Sequence, residues 1–305
     1  MSLDFSIVGA ISVTGLNLMV PIALTAIGEV FGEKAGVVNI GLEGIILTGA
    51  WSAVYFSWLA QSPWVGLLGG ALTGTFFGAL HGYVAIWLKG DQIISGVGIN
   101  IFALGFVPFA IQAVWGVQGS FAKCSVCGVP EISTPWSPLS YFVPLTIVIA
   151  GAFWYLLNKT RYGSMTKATG ENPEAADAVG INVERVRFLA VIIGATLAGL
   201  SGAFLSIDYT GGITKDISAG RGFIALATVV FAGWKPMLAL AGGVLFGFAQ
   251  EVSSFATTLP AIGHTFPSVD YIFSALPYVV TLIVVATAVG RSRFPKALGT
   301  PYRRE

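Results

Sequence analysis

The chain is expected to be an all-α polytopic integral membrane protein, a helical bundle of about nine transmembrane segments (range eight to ten) with broken or re-entrant helices. Three observations predict this. Residues of hydrophobic type make up 55% of the 305 and charged residues only 10%, with a mean hydropathy of +0.80, whereas a soluble domain carries about 25% charge. The apolar runs are long and do not alternate, which favours helices over a barrel among the two structures that lipid tolerates. The basic residues are also sorted to one side, as the segment order shows.

The predicted spans are 5–28, 40–60, 64–88, 93–117, 139–157, 188–207, 222–234, 236–250 and 271–290. Most approach the ~20 residues a span needs. The seventh and eighth are short and nearly contiguous, which is how a half-helix reads. The first lacks a basic leader and a small-residue cleavage site, so it reads as a retained span. With the N-terminus outside, thirteen basic residues fall in inside loops, among them Lys34, Lys89, Lys159, Arg161, Lys167, Arg185, Arg187 and Lys235. Only Lys123, Lys215 and Arg221 of the 16 fall outside. The positive-inside bias therefore places the stretch 159–187 and the basic C-terminal segment in the cytoplasm. Glycine is abundant, with 39 residues, and recurs at small-residue spacing in 66–82 and 241–247. Such faces let helix backbones approach closely in lipid. With no linker or low-complexity block, 1–305 reads as a single membrane domain.

Inside the cytoplasmic stretch 159–187 a short helix is predicted over 172–180. Asn172 is suited to the N-cap, Pro173 to the first turn and Glu174 to its positive end. Ala175 and Ala176 continue it, and Gly180 can close it in a left-handed conformation. Two turns are marginal alone in water. Its capping at both ends therefore implies docking, with Glu171 and Glu174 offered to a partner's rim and Ala175, Ala176 and Val179 to its groove.

The sequence holds no G-x-x-x-x-G-K-[ST] phosphate loop and no catalytic triad or ligand-spaced histidines; an enzyme reading is weak. No metal and no cofactor is expected in this chain. Cys124 and Cys127 in an outer loop are either a disulfide or free thiols; a zinc site would need four ligands. Between the first two spans, EVFGEKAGVVNIGLEG holds Glu29, Glu33 and Lys34, expected to be solvated at the cytoplasmic face, and Asn39 and Glu43 at the border of the second span. Glu43 either caps a helix start, pairs with a nearby Arg or Lys, or lines a solute path at a broken helix. His81 and Asn100 lie within spans, where a polar residue serves interhelical hydrogen bonding or a path. The polar run 208–222 leads into a short span, the pattern of a re-entrant approach to a cavity. Phe223 and Thr228 complete the candidate path.

Four segments in order resemble the permease subunits of bacterial ABC importers of the ribose, branched-chain amino-acid and nucleoside branch: GEKAGVVNIGLEGIILTGA, ATGENPEAADAVGIN, AGRGFIALATVVFAGWKPMLALAGGVLFG and LPYVVTLIVVATAVGRSRFPKALGTPYRRE. The last two point to nucleoside-type members. The resemblance implies a permease that forms the translocation path for nucleosides or related simple sugars in the bacterial cell membrane. It implies an ABC ATPase subunit holding ATP and magnesium, a second, non-identical permease, and an extracytoplasmic substrate-binding lipoprotein; nucleic acid is not a partner. It also implies that Gly170, Glu171, Asn172, Pro173, Glu174, Ala175, Ala176 and Gly180 couple to the ATPase. The rival classes are a secondary transporter driven by an ion gradient, against which the border positions of the acids count, and a channel or scaffold without a transport cycle.

Overall fold

A computed structural model describes residues 5–121, 128–258, 275–288 and 293–303. Among these the helices are α1 (Phe5–Lys34), α2 (Leu42–Ala60), α3 (Pro63–Gly82), α4 (Gln92–Trp115), α5 (Phe142–Lys159), α6 (Arg161–Glu171), α7 (Pro173–Ala178), α8 (Val183–Ala203), α9 (Arg221–Phe231), α10 (Pro236–Thr258) and α11 (Leu276–Ala288). α3 and α8 each run on into a wider π-helical turn, Tyr83–Trp87 and Phe204–Tyr209. Two small antiparallel ladders join polar loops: β1 (Ser120–Phe121) with β4 (Ile213–Thr214), and β2 (Glu131–Ile132) with β3 (Leu139–Ser140). The run 208–222 is therefore partly anchored, through β4, to the loop that follows α4. Cys124 and Cys127 lie outside the described residues.

Six helices among the described residues are long and apolar enough to cross a membrane: Phe5–Lys34, Pro63–Trp87, Gln92–Trp115, Phe142–Lys159, Val183–Tyr209 and Pro236–Ala256. The other three expected spans fall on α2, with 19 residues, α9, with 11, and α11, with 13. At 1.5 Å per residue α9 covers roughly 16 Å, about half of a hydrocarbon core. α9 ends at Phe231, before the backbone turns through positive φ at Gly233 (59°) and Trp234 (56°). Pro236 then starts α10.

Two boundaries differ from expectation, each because of the partners its residues find. α1 extends to Lys34 instead of ending at 28, and its carboxylates are not solvated: Glu29 is 1% and Glu33 3% exposed. Each has a donor inside the protein: the Asn39 N–H for Glu29 Oε1 (2.9 Å) and the Trp234 indole N–H for Glu33 Oε2 (2.6 Å). α8 begins at Val183 instead of 188, because the Asn182 side chain accepts from the Arg185 N–H (3.0 Å) and caps it there. A cap, and not the first greasy residue, sets a helix start.

α1, α2 and α8 form the centre and bury most of their length, whereas α4 and α5 bury only a minority of theirs. Lipid tails are as apolar as leucine, so close backbone packing has to hold these helices together. The glycines provide it. A Cβ on Gly28 would meet Gly194 Cα at 2.9 Å, one on Gly49 would meet the Gly199 oxygen at 2.7 Å, and one on Gly199 would meet Gly74 Cα at 2.7 Å. α8 is thus in backbone contact with α1, α2 and α3. Gly199→Leu is expected to cost about 3 kcal/mol or more by overpacking, read as lost accumulation in the membrane and a lowered Tm in detergent.

Candidate functional site

Four of the six residues predicted to line a path meet at one place, the break between α1 and α2. Residues 35–41 cross this break without helix, and buried backbone there must find partners from side chains. The Val38 N–H donates to Gln92 Oε1 (2.8 Å), and Val38 O accepts from His81 Nε2 (3.0 Å). That bond puts the imidazole proton on Nε2, so Nδ1 accepts from Ser95 Oγ (3.1 Å). The Gly41 N–H donates to Asn39 Oδ1 (3.0 Å). Asn100 spans the junction: its Nδ2 donates to Ile40 O (2.9 Å) and its Oδ1 accepts from the Gly44 N–H (2.8 Å). His81, Asn39, Gln92 and Asn100 are all buried, from 0% to 8% exposed. The chain is close-packed here; a Cβ on Gly96 would meet the Gly41 nitrogen at 2.7 Å.

Glu43 does cap a helix start, but that of a distant helix. Its Oε1 accepts from the Gly220 N–H and its Oε2 from the Gly222 N–H, both at 2.8 Å, at the N-terminus of α9. An anion is favoured there by the unpaired first-turn N–H groups and the helix dipole. The N-termini of α2 and α9 therefore converge on one carboxylate. Counting from Gln92 to Asn100, the junction lies about 12 Å along α4 from that helix's first residue.

The other two predicted residues do not join it. Thr228 is fully buried, donates to Ile224 O of its own helix (2.7 Å), and packs where Gly242 of α10 comes close. It is sealed between α9 and α10. Phe223 is 50% exposed on α9 and takes no part in the network. The sequence reading missed Glu29, Gln92 and Ser95. Gln92 had a usable signal: it follows the helix-capping Asp91, whose carboxylate accepts from the Ile93 and Ile94 N–H groups. Asn100→Leu is expected to strand Gly44 N–H and Ile40 C=O and to lower stability by about 2–4 kcal/mol; the Tm of the purified chain checks this.

The stretch 159–187, expected to couple to a partner, holds two helices before α8 and not one. Thr160 caps α6 by accepting from the Gly163 N–H (3.2 Å), and the Tyr162 hydroxyl reaches Val186 O of α8 (3.3 Å). Burial pushes that phenol up to about 12, so it remains a donor. Asn172 ends α6 and caps α7, its Oδ1 accepting from the Ala175 N–H (3.0 Å). Pro173 takes the first turn, and Gly180 closes at φ +86°. The helix is thus 173–178, with 172 and 180 as flanks. Glu171, Asn172, Glu174, Ala175 and Gly180 are exposed, and Val179 is 76% exposed. Two expected contact residues face inward. Ala176 is 3% exposed, and Gly170 lies against Lys34 O, where any Cβ would collide.

This end of the bundle is tied together by the segment 293–303. Ala297 N–H donates to Gly170 O (2.9 Å) and Gly299 N–H to Gly36 O (3.1 Å). Arg187, 2% exposed, donates to Thr300 O (3.0 Å) and Thr169 O (3.3 Å). α1, α6 and α8 thereby share one knot beside α7.

Among known proteins, the family described as branched-chain amino acid transport system / permease component matches residues 11–285. The chain is 36% identical over 298 residues to the guanosine ABC transporter permease protein NupQ of Bacillus subtilis, covering 92% of each. It is 35% identical over 316 aligned positions to the nucleoside ABC transporter permease protein NupC of Lactococcus lactis, covering 97% of this chain and 98% of that one. A solved structure described as an inward-facing conformation of a putative metal-chelate type ABC transporter shares the fold, with a TM-score of 0.53, 14% identity and coverage of 91% and 85%.

Proposed function

The chain belongs to the branched-chain amino acid transport system / permease component family, and from that premise we propose that it is the permease subunit of an ABC importer carrying nucleosides across a bacterial cell membrane. The observation that carries the reading is near-full-length likeness to two permeases named for guanosine and nucleoside transport. Among the buried polar groups at the junction, Asn39, His81, Gln92 and Asn100 are amides and an imidazole, groups that suit a neutral hydrogen-bonding solute.

In this reading the partners are an ABC ATPase that holds ATP and magnesium, a second, non-identical permease and an extracytoplasmic lipoprotein. The coupling loop faces the cytoplasm and the N-terminus lies outside. The exposed Glu171, Asn172, Pro173, Glu174, Ala175 and Gly180 meet the ATPase, while Gly170 and Ala176 seat the helix pair on this chain. Asn39, Glu43, His81 and Asn100 hold the broken-helix junction in one arrangement, so that displacement of α7 and α6 reaches it through Lys34 at the end of α1. Phe223, half exposed, is the aromatic face offered to a base.

The test is uptake into proteoliposomes holding the complete complex. ATP-dependent, ionophore-insensitive accumulation of labelled guanosine or cytidine in preference to ribose is expected. Accumulation that needs an ion gradient and not ATP would sink the proposal.

A further inference from the structure

Three lysines from three separate elements converge on one cavity. It has a volume of ≈ 430 Å³ and is bounded by the end of α1, by α5 and α6, and by the turn from α9 to α10. Lys34 ends α1, Lys167 lies on α6, and Lys235 precedes α10. Lys167 Nζ donates to Asn158 Oδ1 (2.9 Å), a neutral partner, and Lys34 Nζ stands 5.9 Å from the Trp234 ring centre. Among the described residues, the nearby acids do not balance three cations. Glu171 lies within electrostatic reach of Lys34, as do Lys167 and Lys235, and the buried Glu33 beside it in sequence accepts from the Trp234 indole. Pro236, Met237 and Leu238 of the first turn of α10 also line the cavity. Pro236 has no N–H; those of Met237 and Leu238, in the first turn, have no intrahelical acceptor and lie at the positive end of the dipole. The rest of the wall is apolar or aromatic: Trp154, Leu157, Met237 and Leu238.

We propose that this basin binds a phosphate group, with the lysines and the start of α10 around the phosphate and the apolar wall beside it. Like charges brought this close repel, and a bound dianion or diester reverses that penalty. The cavity lies at the same end of the bundle as α6, whose backbone touches Lys34. With the coupling loop in the cytoplasm this is the cytoplasmic leaflet, where basic pockets between helices take anionic lipid headgroups. Only that assignment to lipid rests on the permease reading; the phosphate chemistry does not.

The experiment uses the full-length chain, purified and placed in phosphatidylcholine nanodiscs with about one fifth phosphatidylglycerol. Lipid retained by the protein is measured by native mass spectrometry, with and without millimolar inorganic phosphate as competitor. Lys167→Gln/Lys235→Gln is expected to lower retained phosphatidylglycerol by roughly an order of magnitude, since each lysine near such a surface contributes a several-fold factor. Lys159→Gln/Lys296→Gln, at the same end but outside the basin, is expected to retain it. Both replaced pairs are exposed or half-buried, so folding is expected to survive, and Lys235→Gln alone supplies a milder second variant. Loss of phosphatidylglycerol that phosphate does not compete for identifies a lipid headgroup. Displacement of the lipid by phosphate shows that the site takes the phosphate group itself, from lipid or from solute, and supports the proposal. Equal retention by the basin variants and the native chain overturns the proposal, as does equal loss from the control pair. Because the assay contains no ATPase and no nucleoside, its failure leaves the transport reading standing, and failed nucleoside uptake leaves the phosphate site standing.

Discussion

Glu174→Arg is expected to lower ATP-driven uptake at least about tenfold while the chain folds and reaches the membrane normally. Glu174 is exposed in the first turn of α7. Its replacement costs the chain only the helix-dipole term, about 0.3–1 kcal/mol. The same change reverses a charge on the surface proposed to meet the ATPase, and reversed charges across a contact weaken docking far more than they weaken folding. Co-purification of the ATPase, with uptake measured beside it, checks this. Native uptake by the variant would remove α7 from the contact. Ala176→Arg is not an equivalent test. Ala176 packs inside this chain, so a guanidinium there disrupts the seat of α7 before any partner is involved.

Glu43→Leu is expected to be as damaging as Asn100→Leu at the broken-helix junction. It strands the Gly220 and Gly222 N–H groups, each held at 2.8 Å, at a cost of about 2–4 kcal/mol. Glu43→Gln keeps one acceptor and is expected to fall between the leucine variant and the native chain. Gly222→Ala reaches the same place from the other side, since its Cβ would meet Glu43 Cα at 2.6 Å. Thermal unfolding in detergent ranks the three, and uptake is expected to follow the same order.

The membrane class was legible because long apolar runs are a bulk signal that no tertiary contact alters. The short helix at 173–178 was legible because Asn172, Pro173, Glu174 and Gly180 are local signals that act within one turn. What escaped was decided by distant partners. Glu29 and Glu33 look solvated in sequence, yet the donors that bury them come from Asn39 and from Trp234, about 200 residues away in the second case. Glu43 reads as a local cap, and its N–H donors are 177 and 179 positions downstream. α6 was missed for a different reason: RYGSMTKATGE has two glycines and few apolar residues. It is helical because Thr160 caps it and because α8 and the end of α1 pack against it.

Trp234 and Glu43 give α9 an unusual mechanical character. The helix is pinned at its start by Glu43, which belongs to α2, and just past its end through Trp234 by Glu33, which belongs to α1. A strut fixed at both ends has a set length. Inserting one residue would lengthen it by about 1.5 Å and rotate one end against the other by roughly 100°, so that one anchor must be lost. Among chains of this architecture, substitutions within α9 should therefore be common while insertions and deletions there are rare. An engineered single-alanine insertion should be far more harmful than any exposed point change in the same eleven residues.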